Sequence, residues 1–400
     1  MKTLRIVGLA TTFFGATIAQ SKPDAASPFL ITGTPFLRGI AKSEIIFLDE
    51  DHKIAMLKAS RDNESVISKN AHLAGRCGGY EKVSAKDTTP LTAIAELKRL
   101  RLRPQGACAP TAPAVWDTVR PLADQVKAAN LEEHVRWYSS FRTRYHESRS
   151  ANEPVLALQS RLRALVAAHS NVSVETVSHS STPQKSLRVH IRSGAPSAPI
   201  VVLGGHLDSI NGWGWGDPQA PGADDNASGV GALLEAVRIL AGASAQLTHD
   251  VVVYLYAGEE AGLLGSGEIA QDSKRQKVQV RGVLQLDMTM FPGDGPAVIS
   301  SMTDFTDPRL RQWLKDFNAN VLGAKLIEDE CGYGCSDHAS WHRQGYATLM
   351  PFESSFDAMN KNIHTSRDVV DARSNFDHAA LFAKIAVGFA LSAPNTNACL

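Results

Sequence analysis

Apolar runs alternate with longer amphipathic segments over most of the chain, and this alternation predicts an α/β fold. Residues 199–204 and 251–256 are continuous apolar runs, which are typical of strands covered on both faces. Residues 228–240, between these runs, carry apolar side chains at helical spacing. The same criteria predict helices over 131–145, 155–169, 310–321 and 376–391, and strands over 172–177, 187–191, 283–286 and 347–352. Strands that alternate with helices favour a largely parallel sheet.

The first 19 residues have a pattern of their own. Lys2 and Arg5 precede a run of mostly apolar and small residues over 6–19, which is typical of a secretory signal peptide. The run has about 14 residues, fewer than the roughly 20 that a membrane-spanning helix requires. We therefore expect residues 1–19 to be a signal peptide and the protein to be secreted, with a periplasmic stage in transit left open.

Residues 20–105 contain no cluster of catalytic residue types. Two short apolar segments, 44–48 and 53–57, flank an acidic turn as in a hairpin, and residues 91–102 have helical spacing. Residues 104–113 then hold three prolines among small residues, which is typical of a linker. We expect a small α+β pro-segment over 20–105 and a catalytic domain over 106–400. An ordinary accessory domain is the alternative for the first of these units.

Composition excludes several classes of protein. The chain has 400 residues, of which 44% are hydrophobic and 20% charged, which rules out a disordered chain. Lys and Arg together number 41, as do Asp and Glu, so we expect neither a nucleic acid nor a membrane as partner. Five cysteines are too few for a disulfide-scaffolded fold, and their odd number leaves at least one unpaired or lost in processing.

Residues able to bind metal follow three of the predicted buried strands. They are His206 with Asp208, Glu259 with Glu260, and Asp287, and the pair Asp224-Asp225 precedes a predicted helix. Sites in open α/β sheets form at the carboxyl ends of strands. His, Asp and Glu without a thiol suit zinc or a similar divalent ion in a catalytic site, and Asp208 could hold the imidazole of His206 as its partner. Spacing alone does not decide which member of either acidic pair binds metal.

The sequence around these residues resembles the secreted bacterial leucyl aminopeptidases of metallopeptidase clan MH, which use two co-catalytic zinc ions. The resemblance covers about residues 113–393 and rests on six motifs: 204–209, 221–229, 259–266, 286–289, 331–341 and 363–365. It implies a mixed, mainly parallel sheet sandwiched by helices. The expected substrates are peptides with a free N-terminus, with leucine or another large apolar residue first, and we expect a monomer.

The resemblance also implies roles for individual residues. Asp225 would bridge the two zinc ions, His206 and Asp287 would complete one site, and Glu260 and His364 the other. Glu259 would be the general base, with Asp208 beside it in the catalytic set. The apolar pocket would be lined by Met288, Tyr333, Met350, Phe352, Phe356 and Ile363, and Cys331 would form a disulfide with Cys335. The role of Trp213 and Trp215, in a loop not expected from the family, and the pairing of Cys77, Cys108 and Cys399 stay open.

Three alternatives compete with this interpretation. A carboxypeptidase of the same clan would generally carry an inserted lid domain. The 27 positions from Glu260 to Asp287 and the 77 from Asp287 to His364 leave no visible room for one. A glutaminyl cyclase relative would not need all five ligands. A non-catalytic binding module would not need the ligands together with Glu259.

Overall fold

A computed structural model describes residues 28–50, 53–74, 76, 79–83, 92–93, 108–109, 111–194, 199–212 and 218–399. The predicted signal peptide, most of the predicted helix 91–102, half of the linker 104–113, Cys77, Trp213 and Trp215 lie outside the described residues. Among the described helices, none is both long and apolar enough to cross a membrane.

The described elements follow one another in the order that the sequence pattern implies, with several additions. The strands are β1 (Phe29–Gly33), β2 (Ile45–Asp49), β3 (Ile54–Lys58), β4 (Tyr80–Val83), β5 (Val172–Val177), β6 (Ser186–Ile191), β7 (Ile200–His206), β8 (Val251–Tyr256), β9 (Val280–Gln285), β10 (Val298–Met302), β11 (Lys325–Asp329), β12 (Thr348–Leu349) and β13 (Pro351–Phe352). The α-helices are α1 (Arg61–Leu73), α2 (Pro113–Ala123), α3 (Ala128–Tyr138), α4 (Glu153–Leu165), α5 (Gly229–Gly242), α6 (Leu264–Arg275), α7 (Pro308–Phe317), α8 (His338–Arg343) and α9 (Phe376–Ser392).

A six-stranded mixed sheet forms the centre of the fold, in the order β12-β9-β7-β8-β6-β5. The pairs β12–β9, β9–β7 and β7–β8 are parallel, and β8–β6 and β6–β5 are antiparallel. Successive residues of β7 face opposite layers, because Val201 and Leu203 join the large core cluster while Val202 joins a second one. Helices α2, α3, α5 and α9 contribute to the first cluster and α6 and α8 to the second. The expected mixed sheet sandwiched by helices is confirmed.

Two expected elements differ in the structure. The helix predicted over 131–145 ends at Tyr138, and just beyond this end the hydroxyl of Ser140 donates to the carbonyl of Trp137 at 2.6 Å. The strand predicted over 347–352 is two strands in two sheets. β12 pairs with β9 in the central sheet, whereas β13 pairs with β10 in a small sheet of order β11-β10-β13 that the pattern did not predict.

The N-terminal unit is a separate four-stranded sheet with α1 packed against it. Its order is β2-β3-β1-β4, and all three pairings are antiparallel. The predicted hairpin corresponds to β2 and β3. One face of this sheet, with Phe29 and Ile31 of β1, belongs to a cluster of its own. The other face, with Leu30, packs into a cluster shared with residues between Met288 and Ile363.

Candidate metal centre

The strand register brings the candidate ligands to one edge of the central sheet. His206 is the last residue of β7 and pairs with Tyr256 at the end of β8, so Glu259 and Glu260 follow within a short turn. Gly258 makes that turn possible with a φ of 60°, a left-handed conformation that glycine adopts without a steric penalty. In β9, Gln285 pairs with Gly204. Asp287, two residues further on, is therefore level with His206.

Two groups of three side chains meet at this edge, and Asp225 belongs to both. The first group is His206, Asp225 and Asp287, and the second is Asp225, Glu260 and His364. These are the two ligand sets that the resemblance implies. All five side chains are buried.

The two oxygens of Asp225 face different groups. Its Oδ1 lies 2.9 Å from Nε2 of His206, and its Oδ2 lies 2.9 Å from Nε2 of His364. The Nε2 atom of His206 is also 3.4 Å from Oδ1 of Asp287, and the Nε2 atom of His364 is 2.9 Å from Oε2 of Glu260. A carboxylate with one oxygen in each of two ligand groups has the arrangement required to bridge two ions.

The donor set fits a pair of cations. Oδ2 of Asp225, both carboxylate oxygens of Glu260 and Oδ1 of Asp287 are buried and accept no hydrogen bond of suitable geometry from the described residues, although imidazole nitrogens lie 2.9–3.4 Å from three of these oxygens. A buried carboxylate with no partner is strongly unfavourable, since ionised groups lose several kcal/mol on leaving water. Two divalent cations would satisfy these oxygens, and imidazole with carboxylate is a ligand combination that zinc accepts.

Glu259 stands apart from its neighbour. Its side chain belongs to neither ligand group, although it is buried at the same edge. Burial raises the pKa of Glu259 well above its usual value, His206 opposes that shift, and the carboxylates of Glu260 and Asp337 add to it. A buried carboxyl group beside the ligands, but not among them, is placed to exchange a proton in the site.

Asp208 makes contacts on two sides. Its Oδ1 lies 3.4 Å from Nδ1 of His206, longer than a strong hydrogen bond. Its firmer contacts are with the backbone of the acidic pair, since Oδ1 accepts from the N–H of Glu259 at 3.0 Å and Oδ2 accepts from the N–H of Glu260 at 3.2 Å. Asp208 therefore ties the end of β7 to the turn that follows β8.

Ser336 was not singled out from the sequence. Its hydroxyl donates to Oδ2 of Asp287 at 2.5 Å and accepts from the side-chain amide of Gln285 at 3.0 Å. Ser336 lies within the motif 331–341, directly after Cys335, and this position was the one feature of the sequence that could have indicated its role. The contact orients the Asp287 carboxylate by a charge-assisted hydrogen bond.

The six candidate pocket residues lie together in one buried apolar cluster. They are Met288, Tyr333, Met350, Phe352, Phe356 and Ile363. The rings of Phe352 and Phe356 stack with centroids 4.9 Å apart. The structure joins Cys331 to Cys335 across Tyr333, and it joins Cys108 to Cys399.

Comparison with known proteins decides the family. The profile of Peptidase family M28 matches residues 188–389, about half of the chain. Leucine aminopeptidase 1 of Aspergillus niger is 35% identical over 287 residues, which cover 68% of this chain and 72% of that protein. The chain belongs to peptidase family M28. It is a peptide hydrolase of the metallo-aminopeptidase type, and the family implies zinc.

Solved structures give the same fold. The crystal structure of the Legionella pneumophila LapA aminopeptidase matches with a TM-score of 0.77 at 24% identity, covering 92% of this chain and 99% of that one. The glutaminyl cyclase of Porphyromonas gingivalis matches with a TM-score of 0.52 at 17% identity, covering 66% and 98%. An aminopeptidase and a glutaminyl cyclase thus share this fold, so the fold alone does not separate these two activities.

Proposed function

We propose that this protein is a di-zinc aminopeptidase that removes a leucine or another large apolar residue from the N-terminus of peptides. The observation that carries the proposal is the shared carboxylate of Asp225, with one oxygen in each of two buried three-ligand groups. His206 and Asp287 would complete one zinc site, and Glu260 and His364 the other. The proposed protein is secreted and monomeric, with residues 1–19 as its signal peptide.

The residues around the ligands have distinct tasks in this proposal. A zinc ion held by these residues would lower the pKa of its bound water to about 7 and would polarise the scissile carbonyl. Glu259 accepts the proton of the attacking water and passes it to the leaving amine, a step worth about 10²–10⁴ in rate. Asp208 holds the backbone of Glu259 and Glu260 in place through two hydrogen bonds.

The apolar cluster gives the proposed preference for the first side chain. Met288 follows the ligand Asp287, and Ile363 precedes the ligand His364, so the cluster begins beside the metal centre. Burying a leucine side chain there is worth about 1.5–3 kcal/mol, whereas a charged side chain would lose its hydration without a partner.

A panel of peptides tests the proposed activity. Zinc content should approach two ions per chain, and leucyl peptides with a free N-terminus should be cleaved ten- to a hundredfold better than alanyl ones, from the burial energy above. N-terminally blocked peptides should resist. Equal turnover of lysyl or glutamyl peptides would contradict the pocket assignment. Cyclisation of N-terminal glutamine without peptide hydrolysis would favour the cyclase alternative instead.

We also propose that residues 20–105 are a removable segment that obstructs the apolar pocket until it is cleaved. Phe36 supports this, because its ring meets that of Tyr333 edge-on with centroids 5.1 Å apart. Arg76 lies over the ring of Phe356 at 4.4 Å. In β4, the N–H of Lys82 donates to the carbonyl of Gly262 at 3.1 Å, in the loop just beyond the acidic pair.

Two phenylalanines of the N-terminal unit offer a matched test. Phe36 packs in the cluster of the pocket, whereas Phe47 packs on the opposite face of the small sheet. In the uncleaved chain, Phe36→Ala should raise kcat/KM for a leucyl peptide severalfold, and Phe47→Ala should not. The active secreted form should begin between about Arg103 and Asp117 by N-terminal sequencing. An intact chain as active as the cleaved enzyme would refute the obstruction.

A further inference from the structure

The segment that carries the bridging carboxylate has an unusual backbone environment. Residues 221–225 lie between β7 and α5, outside the sheet and before the regular turns of the helix. Three successive N–H groups of this segment donate to a single residue, Asp368. The N–H of Ala223 donates to its main-chain carbonyl, that of Asp224 to its Oδ1 and that of Asp225 to its Oδ2, each at 3.1 Å.

A buried cation holds the other end of the same segment. The guanidinium of Arg144 donates to the carbonyls of Pro221 and Gly222, the second at 2.8 Å, and to the carbonyl of Leu207 at 3.0 Å. Arg144 and Asp368 are both fully or almost fully buried. Arg144 thus binds the first two carbonyl groups of the segment, and Asp368 binds the three N–H groups that follow.

Asp368 also belongs to the loop that supplies the last ligand. It follows His364 by four residues, and its N–H donates to the carbonyl of Thr365 at 3.3 Å. His364 has a φ of 56°, an uncommon left-handed conformation for a residue other than glycine, which the surrounding contacts must hold. Contacts between Asp368 and residues 223–225 therefore fix the distance between two ligands of one site, Asp225 and His364.

The arrangement repeats the one at the other histidine. Asp208 follows His206 by two residues and accepts from the N–H groups of Glu259 and Glu260. In each case a carboxylate close in sequence to a histidine ligand binds two successive N–H groups of an acidic pair on another loop. The two pairs together hold the bridging ligand, the candidate base and a ligand of the second site.

We propose that Asp368 is a positioning residue that sets Asp225 against His364 and so determines zinc affinity at the centre. This rests on the proposed function. An asparagine in its place keeps one acceptor oxygen but puts an NH₂ group opposite the second N–H. That buried N–H would then lose its hydrogen-bond acceptor, which is unfavourable. Partners of this kind typically change metal affinity 10–100-fold, and a displaced bridging ligand affects both ions.

The test compares two buried carboxylates. Glu235 of α5 is fully buried and accepts from the N–H of Lys127 at 2.8 Å and from Arg238, without contacting a ligand. The variants Asp368→Asn and Glu235→Gln therefore both replace a buried carboxyl group by an amide, but only the first contacts a residue of the metal centre. For each we would measure zinc affinity by chelator competition, the thermal midpoint of the zinc-free protein, the visible spectrum of the Co²⁺-loaded protein, and kcat and KM.

Asp368→Asn should lower zinc affinity about 10–100-fold, change the Co²⁺ spectrum and reduce kcat more than it changes KM. Glu235→Gln should lower the thermal midpoint and leave the other readouts as in the wild type. Unchanged zinc affinity and spectrum in Asp368→Asn, or equal metal loss in Glu235→Gln, would overturn the proposal.

Two further outcomes are separable. If Asp368→Asn does not fold, Asp368→Glu keeps two acceptor oxygens on a stem one methylene longer. That variant should fold and bind zinc more weakly than the wild type. Wild-type affinity and spectrum in that variant would count against a positioning role. Wild-type protein that binds no zinc would refute the proposed function itself, not the role of Asp368 within it.

Discussion

The variants Glu259→Gln and Glu260→Gln make the same chemical change, a carboxylate to an amide, at adjacent positions. We expect the first to lower kcat and the second to lower zinc binding. The two residues are adjacent in one short turn, and each donates its N–H to one oxygen of Asp208. Glutamine keeps both backbone contacts and the side-chain volume. The fold should therefore survive in both variants, and any difference between them reports the role of the side chain.

The expected magnitude differs because only Glu260 lies in a ligand group. Glu259→Gln should bind two zinc ions and lose a factor of about 10²–10⁴ in kcat, the usual contribution of a positioned proton acceptor. That factor corresponds to about 2.7–5.4 kcal/mol in activation free energy. KM should change little, since the group acts mainly in the transition state. Glu260→Gln replaces a ligand 2.9 Å from His364, so it should bind close to one zinc ion per chain.

Zinc stoichiometry by mass spectrometry of native protein, together with steady-state kinetics on a leucyl peptide, distinguishes the variants. Excess zinc should partly restore activity to Glu260→Gln and none to Glu259→Gln. The assignment fails if Glu259→Gln keeps a near-normal kcat, or if it loses a zinc ion while Glu260→Gln keeps both. In the second case the two roles would have to be exchanged.

Two more predictions concern stability. His134 and His249 are buried beside Arg161 and Arg281, and burial lowers the pKa of each histidine to about 4. Below about pH 6.5 the unfolded chain binds a proton at each ring, whereas the folded chain does not until about pH 4. The free energy of unfolding should therefore fall by about 1–3 kcal/mol per ring between pH 6.5 and 4. Urea unfolding should show a shallower pH slope for His249→Gln, and a slope as steep as that of the wild type would contradict this. Removing the Cys108–Cys399 disulfide, whose cysteines are 291 positions apart, should lower the free energy of unfolding by about 2–5 kcal/mol. Removing Cys331–Cys335, whose cysteines are 4 positions apart, should lower it less but raise KM, because the disulfide holds Tyr333. The reverse order of thermal midpoints would show that loop closure does not control these stabilities.

Sequence reasoning located the candidate ligands because parallel strands end at one edge of a sheet. His206, Glu260 and Asp287 each follow a run apolar enough to be recognised as a buried strand, and the register then brings them level. Sequence spacing could not decide which of Glu259 and Glu260 binds metal, since both residues follow the same strand in one short turn. Only the turn after Gly258 sends one side chain into a ligand group and the other beside it.

Residues that hold the ligands by backbone contacts left little trace in the sequence. Arg144 was placed in the predicted helix 131–145, whereas it lies beyond the end of α3 and points into the ligand loops. Asp368 is one of several polar residues after His364, and its contacts are with N–H groups, which every residue except proline has. A side chain that binds backbone groups does not require a particular residue type at the position it contacts. Such a contact therefore cannot be predicted from the residue types in the sequence.

The apolar pocket supplies the physical reason to expect that the N-terminal unit moves. The six residues of the proposed pocket expose at most 8% of their surface in this structure, so under the proposed function a side chain of the substrate would have to replace whatever covers them. Phe36, Leu57 and Ile67 of the N-terminal unit share their cluster, which makes that unit the cover. The same residues that would bind a leucine are thus already bound to an apolar surface of the chain itself. If residues 20–105 are the proposed removable segment, binding of substrate and of the N-terminal unit should be mutually exclusive, and the strength of the second contact would set how far the uncleaved enzyme is inhibited.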